Sequence, residues 1–194
     1  MGGSMSSVII TGDTSGAITL QAPAVSGTTT LTLPSSTGTV ALTGAAVTYS
    51  QLPTGTVLQV VSAILSTSFS TSSTSYVNSG LTASITPKFS TSKILVICNM
   101  GQCFMNANLV SFNATIYRGS TNLSPNTTVT RGFAELNSVS SGALVSNETM
   151  IYLDSPATTS STTYTAFIGA GASGSISINQ DSGNSTITLM EIAG

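Results

Sequence analysis

Histidine and tryptophan are absent from this 194-residue chain, and charge is scarce. Four Lys/Arg and six Asp/Glu, 5% of the residues, stand where an average soluble chain of this length carries roughly 48. Without histidine, neither a Ser-His-Asp nor a Cys-His nucleophile system can be assembled. Two thiols alone also leave a zinc site short of ligands, so no metal, cofactor or catalytic residue is expected. The cations Lys88, Lys93, Arg118 and Arg131 are scattered singly and the formal net charge is −2, which gives no basic patch for nucleic acid phosphates. Long apolar runs are missing too. The longest aliphatic stretch is Ile94 to Cys98, far short of the roughly 20 residues of a membrane-spanning helix, so no helical membrane insertion is expected. The N-terminus, Met1-Gly-Gly-Ser-Met5, lacks the basic region and apolar core of a secretory signal. It reads as a cloning extension before a start at Met5.

Hydroxyls take the place of charges: the chain has 34 Ser and 32 Thr. With 40% hydrophobic residues and 59 Val, Ile and Thr, it is too apolar for a charge-extended polymer and favours strands. Residues 1–44 hold short segments of period two separated by turn residues: Val8 to Thr11, Ala17 to Leu20, Thr28 to Leu33 and Thr39 to Leu42. Ile18/Leu20, Leu31/Leu33 and Val40/Leu42 each set two apolar side chains on one face. Strands this short bury little by themselves, and about 40 residues is near the lower limit for an independent domain. These six residues are therefore the candidates for attachment to another surface or to neighbouring copies. Residues 45–55 lose the alternation and read as a linker.

Residues 56–194 carry nine strand candidates: Thr56 to Ser66, Tyr76 to Thr86, Lys93 to Gln102, Phe112 to Arg118, Thr128 to Leu136, Leu144 to Leu153, Thr163 to Ile168, Ser175 to Asn179 and Thr186 to Ile192. The expected fold is all-β, an antiparallel β-sandwich with a jelly roll as the preferred topology. The continuous run Ile94 to Cys98 predicts a central strand covered on both faces. The apolar last strand belongs inside a sheet or an interface. If the sandwich forms a trimer axis, Ile187 and Leu189 on one face of that strand, or Ile192 on the other, are the contact candidates, with burial in the subunit's own core as the alternative.

Other features carry less. Glu135, Glu148 and Asp154 are the carboxylates available for glycoside cleavage, but an extended strand separates Glu148 from Asp154 by roughly 20 Å, beyond either glycosidase spacing. Gly169 to Gly174 lacks the following helix of a phosphate loop and reads as a hairpin loop. Five glycosylation sequons, at Asn113, Asn122, Asn126, Asn147 and Asn184, are about what chance gives in a chain so rich in Ser and Thr. The run Ser66 to Ser75, with Phe69 inside it and Tyr76 after it, is either a saccharide contact or a solvated connection. Cys98 and Cys103 are five apart, so on one uninterrupted strand they face opposite ways, and pairing them would need a turn between; they read as two small buried or half-buried thiols.

The stretch from Gly12-Asp-Thr-Ser-Gly-Ala-Ile-Thr-Leu20 through Thr28-Thr-Thr-Leu-Thr-Leu-Pro34 to Thr43 resembles the N-terminal segment of virion structural proteins of tailed bacteriophages, notably aquatic and cyanobacterial ones. Leu52-Pro-Thr-Gly-Thr-Val-Leu-Gln-Val60, Ser84-Ile-Thr-Pro87, Ser92-Lys-Ile-Leu-Val96, Ala114 to Asn122, Tyr152-Leu-Asp-Ser-Pro156 and Thr186 to Ile192 are similar to a module of the same proteins. The resemblance implies a non-enzymatic particle protein, a homotrimer with a β-rich attachment segment and a distal β-sandwich. Its place is the virion surface and its partner the major capsid protein or another virion protein. Within such families the role divides between capsid decoration (cement) and tail or head fibres that touch host-surface glycans. The absence of a long repetitive shaft favours decoration. A bacterial surface adhesin or matrix protein is a further reading from composition.

Overall fold

Alternation of β-branched and hydroxyl side chains governs nearly every element of the computed structural model, which describes residues 7–11, 17–21, 48–105, 111–124, 132–137, 144–171 and 174–194. The chain divides into two compact units, Met1–Ala45 and Ala46–Gly194. In the first, β1 (Ser7–Thr11) and β2 (Ala17–Gln21) pair antiparallel, with Val8 opposite Leu20 and Ile10 opposite Ile18. Ile18 and Leu20 thus lie on a strand, while Leu31, Leu33, Val40 and Leu42 lie outside the described residues.

The second unit is the sandwich. Its strands are β3 (Val57–Leu65), β4 (Phe69–Thr71), β5 (Val77–Ile85), β6 (Lys93–Met105), β7 (Ser111–Arg118), β8 (Thr121–Asn122), β9 (Ala134–Asn137), β10 (Leu144–Asp154), β11 (Thr162–Ala170), β12 (Ile176–Ile178) and β13 (Ser185–Ile192). One sheet runs β3-β13-β6-β10, with β12 and β4 continuing the β13 side of β6 past its midpoint. The facing sheet runs β5-β11-β7, and the free edge of β7 is shared by β8 and β9. All pairings are antiparallel. The order β3-β13-β6-β10 over β5-β11-β7-β9, with the chain crossing between sheets at most connections, is that of an eight-stranded jelly roll.

One core fills the space between the sheets. Ile94, Val96, Ile187 and Leu189 from the first sheet meet Leu81, Ile85, Ile116 and Ile168 from the second, all fully or almost fully buried. Each such side chain contributes about 1.5–3 kcal/mol relative to exposure. The register shifts at three places, in β3 opposite Glu191 and Ile192, in β5 and in β6; the β5 shift leaves the alternation of that strand intact. In β5, Gly80 takes φ +87°, a conformation open to glycine, and its N–H bonds to Asn78 Oδ1 at 2.8 Å. In β6, Gly101 and Gln102 together face Asn147 of β10, so the register slips by one between Ser146 and Glu148. Gln102 has φ +44° and its N–H bonds to Asn147 Oδ1 at 2.9 Å. A Cβ on Gly101 would collide with the Asn184 carbonyl oxygen, so the crowded half of the bulge requires glycine.

This bulge explains how both cysteines are buried, as read from the sequence, in spite of their odd spacing. Alternation runs Ile94, Val96, Cys98, Met100 and then resumes at Cys103 and Met105, all fully buried. The extra residue cancels the odd spacing, and both thiols point into the core, free rather than bonded. Two expectations change. The linker reading for 45–55 gives way over its second half: Tyr49–Gln51 form a 3-10 turn, Gly55 N–H donates to Ala193 O at 2.8 Å, and the Lys88 ammonium lies 5.5 Å from the Tyr49 ring centroid. The Ser66 to Ser75 run contains a strand, β4, whose three residues pair with β12.

Candidate interaction surface

The two sheets present very different outer faces. On the second sheet the outward positions of β5 and β11 form hydroxyl ladders: Ser84 and Thr163 are 2.7 Å apart, Thr82 and Thr165 2.9 Å. Thr115 of β7 donates to Asn122 Oδ1 at 2.6 Å. Thr82, Ser84 and Thr163 are exposed, while Thr115 and Thr165 are buried with their hydroxyls hydrogen-bonded. Tyr117 of β7 and Phe167 of β11 stack on one another, with ring centroids 4.0 Å apart.

The outer face of the first sheet is apolar. Its register sets the side chains in cross-strand rows. Val60, Met190, Leu95 and Leu153 form one row across β3, β13, β6 and β10; Ser62, Thr188, Ile97 and Ile151 form the next. Val57 and Ile192 flank the first row beside Lys93, and Ile64 begins a third row with Thr186, Asn99 and Thr149. Val60, Ile64 and Ile151 are 55%, 68% and 61% exposed, and Val57 and Leu153 about half. Leu95, Ile97, Met190 and Ile192 are half-buried by these neighbours. Nine apolar side chains thus share one face, five of them about half or more exposed, a contiguous grouping rather than the singly scattered apolar residues of an ordinary surface. The one charge on the face is Lys93 at its margin, because Glu191 points inward and is fully buried.

The same geometry places the trimer-axis candidates. Ile187 and Leu189 are consumed by the subunit's own core, which is the alternative weighed for them; Ile192 lies on the outer face. The run Ile94 to Cys98 is central, as its sequence implies, but only its Ile94, Val96 and Cys98 side is fully covered. Leu95 and Ile97 look outward. That uncovered half is the clearest departure from the sequence reading.

The carboxylates serve the fold. Asp154, 5% exposed at the end of β10, accepts Arg118 Nη1 on both oxygens at 2.8 Å and the Tyr164 hydroxyl on Oδ2 at 2.6 Å. Arg118 and Tyr164 belong to the opposite sheet, so this cluster ties the two layers together. Burial and the hydrogen bond to Asp154 push the Tyr164 phenol far above its usual range, which keeps it a donor. Glu191 closes the loop between β5 and β6. It accepts from Gln59 Nε2 at 2.5 Å and from the Lys88 N–H at 2.6 Å. Burial alone would raise its pKa; the Ser92 hydroxyl, Gln59 and the N–H groups of Lys88 and Phe89 outweigh this and hold it below the ordinary value. Glu135 is exposed on β9 and Glu148 half-buried on β10. Their strands lie in different sheets.

A third cluster locks the bulge. Asn179, with φ +55°, donates through Nδ2 to Leu65 O and Thr67 O at 2.8 and 3.1 Å, and accepts from Ser185 Oγ at 2.7 Å. Ser185 Oγ in turn accepts the Gly101 N–H at 3.0 Å. Gly169 and Ala170 end β11, and the next strand, β12, lies in the other sheet, so the two strands are not paired as a hairpin. Among the described residues no group of three or more Cys, Asp or Glu is placed to hold a metal ion. No protein-family model and no curated protein matches the chain.

Proposed function

We propose that this chain is a non-enzymatic structural component of a bacteriophage particle, a trimeric capsid-decorating protein held to the shell through residues 5–43. The observation that carries the reading is the open apolar face of β3-β13-β6-β10, set against the hydroxyl ladders on the outer side of β5 and β11. Permanent homotypic packing uses such a face without desolvating many ions. The buried carboxylates support it from the other side. Asp154 and Glu191 have their oxygens engaged in holding sheets and loops together, which leaves them no free position for acid–base work. The resemblance of its segments to phage virion proteins supports the particle location.

The test compares the full chain with one lacking Met5 to Thr43. Phage heads stripped of the protein are incubated with each and pelleted. The full chain should co-sediment with the heads and the shortened chain should stay in the supernatant. Failure of the full chain to bind heads, with adhesion of both forms to host cells, would establish the fibre reading instead.

A further inference from the structure

We infer that the outer face of β3-β13-β6-β10 is the subunit interface, and that its occupant is neighbouring copies of this chain, three such faces gathered about a common axis. This rests on the reading of the protein as a self-associating particle component and names the surface that does the associating.

Area is the first argument. Nine apolar side chains, with the hydroxyls of Ser62, Thr186 and Thr188 in the same cross-strand rows, cover the breadth of four strands, the scale of surface that a stable interface, ~800 Å² per partner, requires. A patch of that size centred on a four-strand row has the layout of an interface core with a polar rim. The half-buried Leu95 and Met190 occupy its middle, and Val57, Ile64 and Lys93 its margin.

Charge identifies the occupant. A charged partner would find no complement here, because the single cation is marginal and the nearest carboxylate, Glu191, faces the core. A partner that matches must itself be apolar, poor in charge and patterned with hydroxyls, and the chain carries such a surface in this face. Rows of aliphatic side chains interdigitate where such surfaces meet, and Val60, Leu95, Ile97, Ile151 and Leu153 are placed in those rows. The second sheet offers no counterpart, since its outward positions on β5 and β11 are already joined in hydroxyl ladders and its Tyr117 and Phe167 rings in a stack. The two-sided apolarity of Ile94 to Cys98 follows directly: one side packs the subunit core and the other packs a neighbouring subunit.

The experiment is sedimentation velocity of the full chain at micromolar concentration, alongside Val60→Glu/Ile151→Glu and, as a control on the opposite sheet, Ser84→Glu. All three substituted positions are exposed within the subunit, so far-ultraviolet circular dichroism should show the same β content in each. The wild type and Ser84→Glu should sediment as the assembly. Val60→Glu/Ile151→Glu should sediment as the 19.5 kDa monomer, its association weakened by about a thousandfold or more because each copy would bury unpaired carboxylates. An assembled wild type with an equally assembled double variant overturns the choice of face and leaves self-association standing. A monomeric wild type overturns both.

Discussion

Replacing Asp154 by asparagine removes the charge that Arg118 and Tyr164 share across the two sheets. In the native cluster one carboxylate accepts three hydrogen bonds, two from Arg118 Nη1 at 2.8 Å and one from Tyr164 at 2.6 Å. Asparagine keeps a single oxygen there, and its NH₂ turns a donor toward a donor. A hydrogen bond to a charged group contributes about 1.5–3 kcal/mol, and removing one partner of a buried pair costs about 3–5 kcal/mol. The Arg118 side chain is 30% exposed, so water replaces part of what it loses, and the Tyr164 hydroxyl retains one acceptor. The expected loss is about 2–3 kcal/mol, a large share of the 5–15 kcal/mol typical of a folded domain. Urea unfolding at pH 7 and one fixed protein concentration measures it, with Arg118→Met and the double variant completing a cycle whose coupling should be about 1.5–3 kcal/mol. A loss below about 0.5 kcal/mol, the scale of an exposed ion pair, would refute the claim that this cluster ties the layers together.

Glu191 makes a pH-dependent prediction. Because its pKa is held below the usual 4.5, its contribution is fully present above that value and is lost as pH falls through the lowered one. Glu191→Gln should destabilise the sandwich by about 1–3 kcal/mol at pH 7, and the gap to wild type should narrow on titration below pH 4.5; a gap independent of pH would contradict the hydrogen-bonded carboxylate. The cysteines supply a chemical test. Burial pushes both thiols up to about 12, the Glu148 carboxylate adding to the effect at Cys103. At pH 8 an aromatic disulfide reagent should therefore react with the folded chain more slowly than with a free thiol by on the order of a thousandfold. Both thiols should titrate in urea, and rapid reaction of either in the native state would place it outside the core.

Strands were legible in the sequence wherever apolar and hydroxyl residues alternate for five or more positions. Legibility ended where that pattern is interrupted or too short: β4 has one apolar residue, Phe69, inside a Ser/Thr run, and β8 is only two residues long. Neither buries enough to leave a periodic trace. The β6 bulge was hidden for a different reason. Its positive φ falls on Gln102 rather than on a glycine, and the adjacent Gly101 is needed for closeness to Asn184 instead of for its own torsion. Asp154 gave no sign of its role because Arg118 lies 36 residues away, a separation closed only by the crossing of the chain between the sheets that hold β7 and β10. The interaction face did leave a trace in Ile94 to Cys98. That run states that both sides of a strand are apolar; it does not state whether one chain or several cover them.

The slip at Gly101 and Gln102 also divides β6 into two reading frames. Residues 93–100 bury their even-numbered side chains and residues 103–105 their odd-numbered ones. Strict alternation through all 13 residues would turn the distal frame inside out, sending Phe104 into the core and Cys103 and Met105 toward solvent. The strand therefore tolerates no one-residue deletion between the frames, whereas β13 pairs with the first frame alone and β12 with the second. The sandwich is in this sense two short sheets spliced along one strand, and the splice, held by Asn179 and Ser185, fixes which frame each neighbour reads.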